Sequence, residues 1–439
     1  MEMNKKRILY RNILLAGVAI NIFSPLGAVA ATNQELEAKI NKLESMLMEL
    51  KGELNKQGAT VAETKEVAEK AEKNSLEMRV GDTKVTLGGY IKADFTASKY
   101  SRGELGPQNL GRDFYIPGLI PVGSGPGESG FDSDLGAKET RFNIKTNTNV
   151  NGHDLTTFIE MDFLTGPGGN ERVTNSYNPR VRHAFVKYDN FLAGQTWSTF
   201  QDVGALAENL DFIGPAEGTT FVRQTQFRYT SGGLQISIEN PETTVTPYGG
   251  GGRIVTDDGA LPDFVVRYNS KAEWGHIGVA GIMRSLKFNN GVINDSTLGW
   301  GVSLSGKLKV GAKDDFRFMA TGGKGLGRYL AINTANGAVV NADGELEAIG
   351  SYAGFVSYRH FWNTEFRSNL TLSAFKADND VALTGTGVTK DVYSVHANLL
   401  YSPIPKITFG GEYMYAKRSI ESGLDGDMHR LQFSAKYAF

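Results

Sequence analysis

From Arg79 to the C-terminal Phe439 this chain alternates in character at every second residue, and that period leaves few folds open to it. Between Val85 and Ala97, one side of an extended chain carries Val85, Leu87, Gly89, Ile91, Ala93 and Phe95, and the other carries Thr86, Tyr90, Lys92, Asp94 and Thr96. Leu234, Ile236 and Ile238 alternate with Gln235, Ser237 and Glu239, and Trp300, Val302, Leu304 and Leu308 alternate with Gly301, Ser303, Ser305 and Lys307. In the last segment Leu431, Phe433, Ala435, Tyr437 and Phe439 oppose Arg430, Gln432, Ser434 and Lys436. A helix would scatter these residues around its circumference, because its side chains return only every ~3.6 positions. Each segment is expected as a β-strand with one apolar and one polar face.

Soluble sandwiches also alternate, and loop length separates them from barrels that cross a membrane. Outer-membrane barrels join their strands by short turns at one end and long loops at the other. Short links fall at 149–152, 189–190, 231–233, 270–275, 311–312, 363–365 and 403–405; long polar or Gly-rich stretches intervene at 101–136, 165–179, 201–219, 241–261, 287–296, 325–345, 377–389 and 419–426. The expected fold is all-β: a closed antiparallel transmembrane barrel of about sixteen strands, with both chain ends on the short-turn side. An open sheet of that size leaves unpaired edges, whereas closure satisfies every backbone group inside lipid. Mean hydropathy is −0.27, and beyond the first thirty residues no stretch is apolar enough for a spanning helix, so any crossing uses strands. The formal net charge of −2 offers no general attraction for nucleic acid, and the absence of cysteine rules out disulfides and a thiolate nucleophile.

The N-terminal region reads differently. Lys5, Lys6 and Arg7 precede an apolar run from Ile8 to Phe23 that ends at Ala28-Val29-Ala30, the pattern of a cleaved secretory signal over 1–30. In 31–79 a Glu-, Lys- and Ala-rich segment places Ile40, Leu47 and Leu54 at a positions and Leu36, Leu43 and Leu50 at d positions of a coiled coil, which weakens after Gly52 and Gly58. The expected organisation is a signal, a periplasmic coiled coil with linker, and a barrel over 80–439, in the outer membrane of a Gram-negative cell.

If the apolar faces meet lipid, Arg141, Lys145, Arg182, Arg228, Arg267, Arg284, Arg317, Arg367 and Arg430 point into the lumen beside Glu139, Glu160, Asp162, Glu239 and Glu412, with the faces near Arg182 and Arg284 left open. A guanidinium ladder replaces the hydration of an entering carboxylate, and weak successive sites let it leave. A competing reading pairs these arginines with the lumenal carboxylates and makes them wall stiffeners. A constriction is expected from 201–219, where Asp202, Glu208, Asp211 and Glu217 alternate with Leu206, Leu210, Phe212 and Ile213. Its acids would face the wall arginines and set up a transverse field; the alternative is an external flap.

Other motifs carry less. Gly323-Lys-Gly-Leu-Gly lacks the Lys-Ser/Thr pair and the following helix of a phosphate loop. The six histidines are scattered without zinc-hydrolase spacing, so no metal, cofactor or catalytic residue is expected. Tyr188, Tyr229, Tyr268, Trp300, Tyr401, Tyr413, Tyr415 and Tyr437 suit the aromatic girdles of a membrane barrel. A hydrolase hidden in the barrel needs an adjacent Ser and His on the lipid-facing side, and none is evident; an envelope tether, with the barrel as anchor, is the other alternative.

The segments Leu87-Gly-Gly-Tyr-Ile-Lys, Arg182-His-Ala-Phe, Gly194-Gln-Thr-Trp-Ser-Thr-Phe, Pro262-Asp-Phe and Gly323-Lys-Gly-Leu-Gly-Arg-Tyr occur in that order, followed by His360-Phe-Trp, Asn398-Leu-Leu-Tyr-Ser-Pro, Glu412-Tyr-Met-Tyr and the terminal Phe439. From Leu87 onward the chain resembles the DcaP-like porins of Gram-negative outer membranes. The resemblance implies a homotrimeric sixteen-stranded channel with a periplasmic coiled-coil extension, whose favoured cargo is dicarboxylates and other small organic anions; in the tether alternative, the coiled coil holds peptidoglycan or a partner.

Overall fold

The computed structural model describes residues 76–125, 129–165, 168–170 and 173–439. The export signal of 1–30 and the coiled coil lie outside the described residues. Of the span expected as linker, the last residues belong to a strand, Leu76–Val80.

The alternating segments form sixteen antiparallel strands. In order they are β1 (Thr83–Tyr100), β2 in two pieces (Phe131–Gly136 and Arg141–Val150), β3 (His153–Asp162), β4 (Arg180–Tyr188), β5 (Phe191–Trp197), β6 (Arg223–Ser231), β7 (Leu234–Glu239) and β8 (Asp263–Ala272). They continue with β9 (Gly275–Asn289), β10 (Asn294–Val310), β11 (Asp314–Lys324), β12 (Gly350–Phe361), β13 (Phe366–Asp378), β14 (Thr389–Tyr401), β15 (Ile407–Ile420) and β16 (Asp425–Ala438). Each pairs with the next, and β16 returns to β1 in a register running from Tyr90 opposite Ala438 to Tyr100 opposite Met428. At the seam the Phe439 amide donates to the Gly89 carbonyl at 3.1 Å. The leading strand Leu76–Val80 doubles back on β1, with Val80 opposite Thr83 and Leu76 opposite Leu87, and so extends the sheet on the side where β16 ends.

Burial runs opposite to that of a water-soluble protein. On β16, Leu431 and Phe433 are 47% and 53% exposed, while Arg430 and Gln432 are 1% and 2% exposed. Ile91 on β1, Ile238 on β7 and Val302 on β10 are exposed in the same way, whereas Lys92, Glu239 and Ser303 are buried. Only a hydrocarbon surround makes an apolar exterior with a polar interior favourable, because each apolar side chain then leaves water and each polar one keeps partners.

Four connections depart from expectation, in three ways. The stretches 287–296 and 419–426 are not long loops: β9 and β10 are joined by 290–293, and β15 and β16 by 421–424. In the first, the Asn290 side-chain oxygen accepts from the Val292 and Ile293 amides at 3.0 and 2.7 Å, closing a tight turn. Strands that run beyond lipid are polar on both faces, so their sequence looks like loop. The third departure is a four-stranded sheet made by the 240–262 and 325–349 loops, in which Ile254–Thr256, Thr243–Thr246, Ala338–Val340 and Leu346–Ala348 lie side by side. Val245, Ala338, Val340 and Leu346 pack on Leu286 and Phe288 of β9, apolar side chains that face inward there.

The face assignment predicts the effect of adjacent substitutions on β2. Ile144→Arg, on the exposed apolar face, should lower unfolding stability in lipid vesicles by about 2–3 kcal/mol, while Lys145→Arg should leave it nearly unchanged. Urea titrations of the two variants measure this, and equal or reversed effects would refute the orientation.

Candidate pore constriction

The connection between β5 and β6, residues 198–222, folds into the barrel. Phe200, Ala205, Ala216, Glu217, Thr219 and Thr220 are fully buried, and the short turn Ala216–Gly218 packs on β11, β12, β13 and β14 across the lumen. Gly218 passes so close to the wall that a Cβ would lie 2.4 Å from the Gly354 carbonyl oxygen and from Ser373 Oγ.

Charged contacts hold this lumenal loop along its length. Asp202 caps its own turn by accepting from the Gly204 amide at 3.0 Å, and it receives Arg267 Nη2 at 2.6 Å, Ser305 Oγ at 2.8 Å and His276 Nε2 at 3.1 Å. Glu208 receives Arg367 through Nε at 2.9 Å and Nη2 at 2.7 Å, and Arg359 Nη1 at 2.7 Å. The Leu210 amide donates to Glu412 at 2.9 Å, and the Leu210 carbonyl accepts from Lys92 Nζ at 2.8 Å. Asp211 accepts from the Tyr115 amide at 2.8 Å and from the Ile213 and Gly214 amides at 3.2 Å. Phe212 meets Phe114 and Phe221 edge-on and lies within 5.4 Å of the Arg182 guanidinium. Glu217 sits fully buried against the wall, away from any passing solute.

These contacts sort the expected arginine ladder. Arg267 and Arg367 hold the lumenal loop, and Arg317 donates to Asp315 at 2.7 Å and to the Leu206 carbonyl. Arg284 is committed to Asp263 at 3.1 Å and to the carbonyls of Glu242, Gly325 and Leu326. Arg430 donates to Ser98 at 2.8 Å and to the Gly111 carbonyl, and Arg228 donates to Gln226 at 2.9 Å and to the Trp197 carbonyl. Arg182 is paired with Glu160 and Asp162, each at 2.8 Å. Both faces left open in the sequence prove to be inward. At Arg182 the reason is a bulge: Glu160 pairs with His183 and Met161 with Val181, leaving Arg182 as the extra residue, so Arg182 and His183 are both buried.

Two residues of the ladder differ from the rest. Arg141 Nε lies 3.6 Å from Glu160, whose carboxylate Arg182 already occupies, and Lys145 makes no ion pair among the described residues. Both line a chamber of about 600 Å³ together with Phe158, Phe185, Trp197 and Phe212. A second chamber of about 310 Å³ shares Arg141 and Phe212 with the first and adds Lys92, Arg367 and Lys436. Its acids are engaged: Glu139 by Lys92 at 2.6 Å, Glu208 by two arginines, and Asp211 by backbone amides. What stays uncompensated along both chambers is positive charge, on Arg141, Lys145 and Lys436, the last held over the Tyr90 ring. The expected field between acids and arginines facing each other across a gap is therefore replaced by direct pairing, with the excess cations set apart.

Lys92, Arg359 and Lys436 were outside the arginine selection made from sequence, although each lies on the inward parity of its strand. A buried row, Ser394, His396 and Glu412, places a serine hydroxyl 3.0 Å from a histidine nitrogen, but not on the lipid-facing side that the hydrolase alternative requires. All three lie beneath the lumenal loop on the lumen side, line neither chamber, and hold Glu412 toward Leu210.

Among curated protein sequences, none is similar to this chain. Its fold matches the outer-membrane channel DcaP of Acinetobacter baumannii with a TM-score of 0.68 and 24% identity, over 82% of this chain and 99% of that one. Salmonella typhi OmpF, solved with daunomycin, matches at 0.51 with 11% identity over 83% and 100% of the two chains. OmpT of Vibrio cholerae, expressed in the outer membrane, matches at 0.50 with 11% identity over 83% and 100%. The sequence pattern of the family described as DcaP outer membrane protein extends over residues 28–439. The chain is an outer-membrane, porin-like barrel and belongs to the DcaP outer membrane protein family.

Proposed function

We propose that this barrel is a passive diffusion channel that favours small organic anions, dicarboxylates among them. The observation that carries this reading is Arg141, a cation with no carboxylate of its own at the junction of two lumenal chambers. A carboxylate moving from Lys145 to Arg141 to Lys436 always has a cation within reach, and no step binds it with more than one or two groups, which lets it leave. The rings of Phe158, Phe185, Trp197 and Phe212 supply a surface for the hydrocarbon part. The arginines bound to Asp202 and Glu208 serve a second purpose in this reading: they keep the lumenal loop in place and so set the bore. Residues 1–30 direct export, the coiled coil ahead of the Leu76–Val80 strand extends into the periplasm toward peptidoglycan or a partner, and the chain works as a homotrimer.

Reversal potentials in a salt gradient across planar bilayers test the selectivity. The wild-type channel should prefer chloride over potassium, and the R141Q/K145Q variant should lose that preference roughly five-fold, equivalent to about 1 kcal/mol of Coulomb energy in a partly wet lumen. An unaltered ratio would remove these residues from the path, and a cation-selective wild type would end the anion reading.

The loop anchor gives a pH dependence. Burial opposes ionisation of Glu208, but the hydrogen bonds from Arg367 and Arg359 outweigh it and hold the carboxyl below its ordinary value. A depressed carboxyl stabilises at neutral pH and loses that contribution as acid protonates it. Conductance should be steady near neutrality and turn larger and noisier in acid below the ordinary carboxylate range. Glu208→Gln should show the noisy behaviour already at neutral pH, and quiet single-channel traces from that variant would contradict the anchoring role.

A further inference from the structure

A separate cavity of about 250 Å³ lies at the long-loop end, enclosed by the 101–130, 240–262, 325–349 and 379–388 loops and the end of β15. Two arginines line it. Arg253 donates through Nε to the Asn336 side-chain oxygen at 2.6 Å and through Nη2 to the Asn333 carbonyl; Arg418 donates to Thr389 Oγ1 and to the Ile120 carbonyl, each at 3.0 Å. Every one of these partners is neutral, and among the described residues no carboxylate pairs with either guanidinium. Glu421 stands at the edge but is turned to Asn379 Nδ2 at 2.8 Å. Both cations are thus fixed in position and left with charge and donors to spare, Nη1 on Arg253 and Nη2 on Arg418. Arg253 remains exposed, so an arriving anion can reach it. The rest of the lining is mixed: Ile116, Leu119, Ile332 and Val388 form an apolar part, and Thr246, Asn333, Thr334, Asn336, Asn379 and Thr389 a neutral polar part.

The backbone adds an independent sign. Ala331, Ile332 and Asn333 all adopt left-handed φ values of 53°, 51° and 58°, and a β-branched residue such as Ile332 pays most for that conformation. The turn is held by its surroundings, with the Ala331 amide donating to the Thr219 carbonyl at 3.1 Å. The strained turn presents Ile332 and Asn333 to the cavity, and such strain collects where a backbone is shaped around a ligand.

We propose that this cavity is a capture site for an organic anion with an apolar body, whose carboxylate rests on Arg253 and Arg418 and whose hydrocarbon rests on Ile116, Leu119, Ile332 and Val388. It lies at the long-loop mouth and holds the solute before it reaches the chambers at Arg141. Its place in transport rests on the channel reading; the binding does not. Two uncompensated guanidinium groups select for carboxylate, and the apolar part of the lining favours an organic anion over chloride.

Benzoate is the probe, used with the full-length protein in two settings: added to either side of oriented single channels in a planar bilayer, and titrated at equilibrium in detergent. R253Q/R418Q should keep the wild-type open conductance, which also reports correct folding. It should slow benzoate association from the long-loop side roughly ten-fold, leave association from the other side unchanged, and weaken equilibrium binding to match. R253K/R418K, which keeps the charge, should retain most of the binding, and benzyl alcohol, with the ring but no charge, should bind neither wild type nor variant. Association from the long-loop side that is unaffected by R253Q/R418Q, or benzyl alcohol binding as well as benzoate, overturns the proposal. A wild-type channel without anion preference would defeat the transport function, while the detergent titration would still decide whether the site exists.

Discussion

Closure of the sheet, with β1 hydrogen-bonded to β16, governs everything else in this molecule. It removes the free strand edges that a sheet of this size would otherwise present and satisfies the backbone without water, which is what lets strands stand in hydrocarbon. The same closure gives each strand an outside and an inside. With apolar side chains committed to lipid, the charged ones are confined to a space too wide for them to fill from the wall alone. A sixteen-stranded ring encloses a channel, and its buried charges need partners, only some of which the wall supplies.

The lumenal loop supplies many of those partners. Asp202 and Glu208 neutralise wall arginines, Leu210 offers its carbonyl to Lys92 and its amide to Glu412, and the loop then lies flat against β11–β14 at Gly218. An arginine bound to a carboxylate on a rigid wall is strongly held, because removing one partner strands a buried charge. Such a pair is a poor site for a passing solute. In the proposed division of labour, paired arginines shape the bore, and Arg141, Lys145 and Lys436 serve a solute.

The barrel was legible in the sequence because both of its rules are local. Period-two alternation assigns faces, as Leu431 and Arg430 show, and the alternation of short and long connections orders the strands. What escaped notice depends on distant partners or on single-residue insertions. Nothing near Arg182 announces the bulge that turns both Arg182 and His183 inward. The sheet of Thr243–Thr246 with Ala338–Val340 joins two loops far apart in the chain, although the β-branched run from Thr243 to Thr246 between Pro241 and Pro247 was a clue. The mixed composition of the lumenal loop pointed into the barrel, and parity gave the ladder its inward face except at Arg182 and Arg284, where the faces were open. Parity could not say which of them would be consumed, since Asp202 and Glu208 come from a loop returning across the lumen and Asp263 and Asp315 from the wall itself.

Because the chain has no cysteine, a thiol can be placed at one position at a time. Single cysteines at the chamber-lining positions Lys145, Thr408 and Lys436, and at their exposed apolar neighbours Ile144, Phe409 and Tyr437, can be treated in lipid vesicles with a charged, water-soluble thiol reagent. Modification at the first three positions with a drop in single-channel current, and protection at the second three, is the expected result. Labelling of the second set in preference to the first, or of both sets alike, would mean that the polar faces do not surround water and that no channel runs through the barrel.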